Sequence, residues 1–160
     1  MAVNTNLLYA GPVDQVLIGS TDIGGTFDGV VITRDDERMD ILCDQVFAPV
    51  RKPLTSRKFT VVVNCAELSL ANLTTALGQP AGNLTSSSIK LDETDAGQMS
   101  ITLVVNTPTG VGHRYIKFDL AYIGGSSEHS YKKGVQTFIP VTMECVASST
   151  GIYGYIKDEA

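Results

Sequence analysis

The segment that most constrains the fold is Phe59–Pro80, because its hydrophobic period changes once, from two residues to nearly four. The first half alternates in the manner of a half-buried strand, with these residues on one face: Phe59, Val61, Val63 and Cys65. The second half spaces three leucines at i, i+3 and i+7, which places them on one face of a helix: Leu70, Leu73 and Leu77. Ser69 is the predicted N-cap, and Gly78 followed by Pro80 predicts where the helix stops. A helix this short is marginal in isolation, so we expect its leucine stripe to pack on the body or on a neighbouring subunit.

The remainder of the chain consists of short apolar runs separated by turn-forming residues, which predicts about eight strands. Arg34–Arg38 is predicted to be a charged turn, and Ala48–Lys58 an extended loop with two prolines. Within Arg114–Tyr122 the even positions are predicted to share one face. Pro140 predicts an edge or a bulge in its strand. With only one helical segment, we expect an all-β fold: an antiparallel sandwich or barrel with one short helix on its side, as a single domain over residues 1–160.

Composition excludes several classes of function. The net charge is −5 and charged residues make up 18% of the chain, which does not fit a polycationic nucleic-acid binder and mildly favours surface buried against partners. No apolar run is long enough to span a bilayer, and the sequence MAVNTNLLYAGP does not resemble a signal peptide. Three cysteines on apolar strand faces are predicted to be buried, reduced thiols: Cys43, Cys65 and Cys145. His113 and His129 lack partners at metal-ligand spacing, so we expect no metal, cofactor or catalytic site.

One glycine-rich motif has a sharper alternative. The run Asp22-Ile23-Gly24-Gly25-Thr26 resembles the first phosphate-binding turn of actin-like ATPases and sugar kinases, in which glycines let the backbone approach a phosphate. That fold needs two large α/β halves, whereas this chain has one helical segment. A glycine-containing hairpin turn is therefore the favoured interpretation, and a nucleotide-binding fragment is the alternative.

A basic cluster stands out in an acidic chain. Four positive residues lie within eight positions of the Ala48–Lys58 loop: Arg51, Lys52, Arg57 and Lys58. Either the loop is simply solvated, or it makes an electrostatic contact with an acidic patch on another subunit. Nucleic acid is a weaker fit, because no aromatic residue lies within the cluster.

The order of elements resembles the tail tube proteins, or major tail proteins, of tailed bacteriophages and their relatives in contractile injection systems and type VI secretion. The resemblance rests on the passage AELSLANLTTALG at residues 66–78, which is similar to the E-L-T/S-L-x-N-L-x-x-A-L-G passage of many tube proteins. The early strand, glycine-rich turn and strand, and the long polar loop before Phe59, support it. Most of the chain is covered, as a pattern of elements.

The resemblance implies a structural, non-enzymatic virion protein that assembles in the bacterial host cytoplasm. Hexameric rings would stack into a hollow tube that conducts DNA without binding it specifically. One sheet of each subunit would join its neighbours in a large barrel, which would remove exposed strand edges. The Ala48–Lys58 loop would reach the adjacent ring. Partners would be further copies of the chain and other tail proteins, such as the tape measure, terminator and tail tip or baseplate, without membrane insertion.

The resemblance also implies an acidic lumen, since like charges repel the phosphates of passing DNA. Alternation nominates three lumen candidates: Asp40, Asp44 and Asp119. Leu42 shares the polar face of the third predicted strand, and this suggests a subunit contact instead of a wholly wetted surface. Other virion β-proteins, such as a tail terminator or a head decoration protein, are the alternative within the structural class.

Overall fold

The computed structural model describes residues 13–44, 46–107, 112–124, 128, 131 and 133–159, with only the backbone described at Val46 and Phe47. His129 lies outside these residues, so the prediction made for it has no structural counterpart. Within the described residues one α-helix, α1 (Leu70–Ala76), and one short 3-10 helix, Ala81–Asn83, interrupt a series of strands. The strands are β1 (Val13–Ile18), β2 (Thr21–Asp22), β3 (Thr26–Arg38), β4 (Ile41–Cys43), β5 (Val46–Arg51), β6 (Leu54–Cys65), β7 (Met99–Asn106), β8 (His113–Ile123), β9 (Ile139–Cys145) and β10 (Gly154–Glu159).

Eight strands form one antiparallel sheet, and this confirms the predicted all-β class with a single short α-helix. The order across the sheet is β2-β1-β7-β8-β9-β6-β3, and β10 pairs separately with β8. The strands β4 and β5 form a second, two-stranded sheet. The described part of the chain contains no helix long and apolar enough to cross a membrane.

One hydrophobic core unites the two halves of the large sheet. In one half, paired strands align inward-facing residues in rows, such as Val16 on β1, Leu103 on β7 and Ile116 on β8. In the other half, Val61 on β6 lies beside Met143 on β9. All of these side chains belong to or pack against the same cluster, so the sheet is wound around a single interior.

The strand β8 changes neighbours halfway along its length. Its first half pairs with β10 as far as Phe118, and its last residues pair with β9 from Ala121 onward. A register shift against β7 accompanies the change, because Ile101 pairs with Phe118 but Met99 pairs with Ala121. The strict alternation predicted for Arg114–Tyr122 is therefore wrong beyond Phe118: Ala121 is buried, whereas Tyr122 faces solvent.

The strand β9 accommodates its proline in the way the sequence predicts. Pro140 pairs with Asn64 of β6, but it lies beyond the last pair between β8 and β9, which joins Ile123 to Met143. On the β8 side, Pro140 is therefore at a local edge among the described strands, where its missing N–H breaks no ladder.

The helix begins and ends where the sequence predicts. The Ser69 hydroxyl accepts a hydrogen bond from the backbone N–H of Asn72 at 3.1 Å, a cap that typically contributes about 1 kcal/mol. At the other end Gly78 has a φ of 65°, and its N–H donates to the Thr75 carbonyl at 3.0 Å. Both caps depend on residues close to the helix in the sequence, so they could be predicted without knowledge of the fold.

Two predicted irregular segments are in fact strands. The supposed charged turn Arg34–Arg38 continues β3, which runs for 13 residues, and the supposed loop at residues 48–58 contains the end of β5 and the start of β6. Only residues 52 and 53 separate those two strands. Pro49 is tolerated because β5 is a strand of a two-stranded sheet, where a proline can face outward.

The three cysteines differ in their surroundings. Cys65 and Cys145 are buried in the core, and burial raises the pKa of each thiol to about 11. Cys43 is exposed at the end of β4, so the prediction that it is buried is wrong. The reason is that β4 pairs only with β5 and does not enter the large sheet.

Candidate functional site

The most distinctive feature of the surface is a long β-hairpin formed by residues 33–44 and 46–58, which we call the arm. The pairing of β9 with β6 stops at Phe59, opposite Cys145, but the pairing of β3 with β6 continues to Arg38 and Leu54. Beyond Phe59 the two strands therefore run together without β9 beside them. This geometry carries the arm past the edge of the core, with β4 and β5 as its tip.

Ion pairs hold the part of the arm nearest the body. The Arg57 guanidinium binds the Asp36 carboxylate through two hydrogen bonds, Nε to Oδ1 at 2.7 Å and Nη2 to Oδ2 at 3.0 Å. Arg34 adds a longer contact to Asp36 at 3.5 Å. The Arg57 hydrogen bonds lower the pKa of Asp36, so this pair persists until the pH falls below the usual carboxylate range. The Tyr153 hydroxyl also donates to the Arg57 carbonyl, which ties the arm to the segment before β10.

The arm tip, residues 39–54, is fastened to the rest of the arm by backbone and side-chain contacts. The Met39 N–H donates to the Pro53 carbonyl at 3.1 Å, and Arg38 Nη1 donates to the Lys52 carbonyl at 3.1 Å. Lys52 Nζ lies 3.0 Å from Asp40 Oδ1. These contacts join the start and the end of the tip at its base.

Half of the basic cluster predicted from the sequence is neutralised within the arm. Pairing β3 with β6 brings the acidic run at residues 35–37 opposite the basic end of the supposed loop, so Asp36 pairs with Arg57 and Asp40 pairs with Lys52. Among the described residues, Arg51 and Lys58 make no ion pair and are exposed. Two of the four predicted charges therefore remain available to a partner.

The arm tip exposes several large apolar side chains beside its charged residues, and sequence reasoning identified only Leu42 among them. Leu42 is 70% exposed. It belongs to a set of large apolar side chains that face solvent on the tip: Met39, Ile41, Leu42, Val50 and Leu54. Five exposed large apolar side chains on one short segment favour a surface that contacts another protein.

The three acidic lumen candidates lie on two different parts of the molecule. Asp40 and Asp44 belong to the arm tip, where Asp40 is paired with Lys52 and Asp44 is exposed. Asp119 lies on β8 in the body of the sheet, 3.3 Å from Lys117 Nζ. In the described structure, Asp44 is the member of this set that has no ion pair.

The glycine-rich motif at residues 22–26 is occupied by the protein's own carboxylates. The Gly24 N–H donates to Asp22 Oδ1 at 2.9 Å, and the Gly25 N–H donates to Glu67 Oε1 at 3.0 Å. Asp22 also accepts from Gln15, and the two hydrogen bonds lower its pKa. The backbone amides that would bind a phosphate are therefore already used. The motif is also not a hairpin turn, because it crosses from β2 to β3 at the far end of the sheet order.

Two polar residues that sequence reasoning passed over anchor the helix to that crossing. Asn72 is buried on α1, and its Nδ2 donates to the Ile23 and Glu67 carbonyls at 2.9 and 3.0 Å. Glu67 reaches Gly25 from the segment before the helix. Both residues lie in the passage quoted above, but Gly25 and Ile23, to which they bind, are more than 40 positions away in the sequence.

The predicted leucine stripe is not the main buried face of the helix. Leu73 packs against the core cluster and Leu77 is half-buried, whereas Leu70 is exposed. The buried helical positions are instead Asn72, Thr74 and Ala76. Asn72 and Ala76 are four residues apart and share one face, whereas Thr74 lies on the other side, so the helix is covered on more than one side. Asn72 needs the hydrogen bonds just described.

Comparison with known proteins gives a likeness of fold. No family model matches the chain, and no curated protein sequence matches it. In solved structures, the chain is similar to a chain from the virion of a native gene transfer agent particle, with a TM-score of 0.50 at 10% identity over 94% of this chain and all of that one. It is also similar to a chain from the tail of an empty gene transfer agent particle, refined with helical methods and C6 symmetry, with a TM-score of 0.48 at 9% identity over 88% of this chain and 86% of that one.

Proposed function

We propose that this chain is a structural, non-enzymatic protein of a phage-like virion, and that its copies form hexameric rings that stack into a hollow tail tube through which DNA passes. The observation that carries the proposal is the arm, whose tip exposes a cluster of large apolar side chains beyond the edge of the core. Exposing these apolar side chains to water is unfavourable in free energy, and burial against another subunit removes that cost. The fold likeness to a chain of a gene transfer agent virion supports the same class of function.

The open edges of the sheet support ring formation. The 13-residue strand β3 pairs with β6 on one side, and β10 pairs with β8 on one side, within the described strands. A long unpaired edge is a template for another chain unless the native assembly covers it. Because each copy has two different open edges, one edge can pair with the other edge of the next copy, head to tail. Such copies close into a ring when the rotation between neighbouring subunits divides a full turn evenly. We therefore infer that β3 of each copy is covered by its neighbour in the ring.

By this proposal the rings stack through the arm tip. Two unpaired positive charges would contact the adjacent ring: Arg51, beside the exposed apolar side chains of the tip, and Lys58, in the stem. The proposed lumen residues remain Asp40, Asp44 and Asp119. Of the three carboxylates, the charge of Asp44 is the least neutralised by a neighbouring cation. An acidic lumen would let DNA slide past without adhesion, because carboxylates and phosphates repel one another. By this proposal the protein assembles in the bacterial cytoplasm and joins other tail proteins in the virion.

Negative-stain imaging of the purified chain at high concentration tests this function. We expect hollow rings that stack into tubes of uniform width. Unstacked single rings would instead indicate a terminator, and isolated trimers would indicate a head decoration protein. Featureless particles the size of one chain would contradict the proposal.

A further inference from the structure

A second apolar surface lies beside the root of the arm, away from the arm tip. It is a groove of about 410 Å³ bounded by β3, β6, β8 and β10. Within it Phe59 and Tyr153 meet edge to face, with ring centroids 5.0 Å apart, and Phe59 also contacts Phe118. Four large apolar side chains of its lining face solvent: Ile32, Ile152, Tyr155 and Ile156.

The groove continues the hydrophobic core to the surface. Ile156 lies in the same row as Ile116, Leu103 and Val16, across β10, β8, β7 and β1. Leu103 and Val16 are almost wholly buried, yet Ile156 is 68% exposed. An apolar row that runs from full burial to exposure favours a contact with another apolar surface at its exposed end.

The charged side chains in and around the groove already have partners of opposite charge. They form these ion pairs: Lys117 with Asp119, Arg114 with Asp158, Lys157 with Glu159, and both Arg34 and Arg57 with Asp36. Burying a charged group without a partner is costly, and these walls offer no unpaired carboxylate or cation to compensate for it. The groove therefore favours an occupant whose buried part is apolar.

The arm tip of the same copy cannot occupy this groove. The strands β3 and β6 pair continuously from Ile32, in the wall of the groove, to Glu37, and pair again at Arg38, where the tip begins. Six residues of strand span roughly 20 Å, so the paired strands hold the tip at about that distance from the groove. Folding the tip back would break the hydrogen bonds between β3 and β6. A tip that fills the groove must therefore come from a second copy.

The arm tip of a second copy matches the groove in shape and in chemistry. It carries five exposed large apolar side chains on a hairpin that projects past the core, whereas the groove is a concave apolar surface. Asp40 and Lys52 in the tip neutralise each other, so their insertion leaves neither charge without a partner. One contact would then cover both exposed apolar surfaces. Because each copy has one tip and one groove, the contact is head to tail and repeats from copy to copy.

We propose that the groove receives the arm tip of a copy in the adjacent ring, with the exposed apolar side chains of the tip against Ile32 and Ile156. The inference rests on the proposed stacking of rings and identifies the surface that accepts the tip. Each copy then donates a tip to one neighbour and accepts a tip beside the root of its own arm from another.

Cross-linking between two variants of the full-length protein tests this assignment. One variant carries Val50→Cys in the tip and the other carries Ile156→Cys in the groove, at positions that are 61% and 68% exposed. Both variants also carry Cys43→Ser, and the two remaining cysteines, Cys65 and Cys145, are buried. A short bismaleimide should give several-fold more covalent dimer in the assembled mixture than in either variant alone.

The matched control replaces the groove thiol with Leu91→Cys, at a position that is 68% exposed and outside both surfaces. Its mixture with Val50→Cys should give only the background level of dimer. Met39→Cys, at a position 55% exposed, supplies a second tip thiol if Val50→Cys hinders assembly. In the unassembled protein, the thiol of Ile156→Cys should react rapidly with a monofunctional maleimide, and assembly should slow this reaction several-fold.

Three results would overturn the inference. Mixtures that assemble but cross-link Ile156→Cys no better than Leu91→Cys would show that the tip contacts another surface, and the proposed function would stand. Slow reaction of the groove thiol at low concentration would show that the groove is filled within one chain. A wild-type protein that never assembles would overturn the proposed function, and this inference with it.

Discussion

Replacing Leu42 with aspartate is expected to abolish assembly and leave the folded monomer intact. Leu42 is 70% exposed on the arm tip, so the monomer loses little when it is changed. In an assembled contact the leucine contributes roughly 1.5–3 kcal/mol by burial, whereas a carboxylate buried there without a partner costs several kcal/mol. Because every subunit repeats the contact, the effect is multiplied along a tube.

The matched control is Leu91→Asp, which introduces the same charge at a leucine that is 68% exposed outside the arm. Thermal unfolding of the unassembled protein, at low concentration, should give similar melting temperatures for both variants and the wild type. Light scattering and imaging should show assemblies for the wild type and for Leu91→Asp only. Normal assembly of Leu42→Asp would show that the arm tip does not form the contact between subunits.

Gly154→Ala is expected to destabilise the monomer strongly. A Cβ at this position would lie 1.9 Å from the Lys117 carbonyl oxygen and 2.8 Å from the Phe118 Cα. Both are backbone atoms of β8, so β10 must move away from its partner strand to accept the methyl group. We expect the free energy of unfolding to fall by about 3 kcal/mol, the upper range for overpacking.

Gly82→Ala is the appropriate control, because a Cβ there would meet no atom within 4 Å. Urea unfolding should find it within about 0.5 kcal/mol of the wild type, as is usual for open surface positions. If Gly154→Ala were equally mild, the close approach of β10 to β8 would be wrong.

Features with local causes could be predicted from the sequence. The helix follows from Ser69, the leucine spacing and Gly78, and each of these acts within a few residues of the helix. The alternation from Phe59 to Cys65 likewise predicted the buried residues of β6, such as Val61 and Val63. The all-β class followed from the scarcity of helical segments.

Features that depend on strand pairing could not be predicted. The charged residues 34–38 look like a turn until β6 supplies Arg57 opposite Asp36. The basic residues of the supposed loop look unpaired for the same reason. The shift in β8 arises because two different strands, β9 and β10, share one side of it, and nothing within β8 itself encodes that division.

The candidate site was therefore foreseen only in part. Leu42 was recognised as out of place on a polar face, but the rest of the apolar tip became visible only when β4 and β5 were seen to leave the large sheet. The roles of Glu67 and Asn72 were hidden because their partners, Gly25 and Ile23, are remote in the chain. In both cases the role of a residue depends on contacts with residues that are remote in the sequence.

Sedimentation velocity of the wild-type protein over a wide range of concentrations tests whether the chain assembles with itself. We expect a monomer at low concentration to give way to large species as the concentration rises, without any added partner. A single species with the mass of one chain, 17.1 kDa, at every concentration would contradict it.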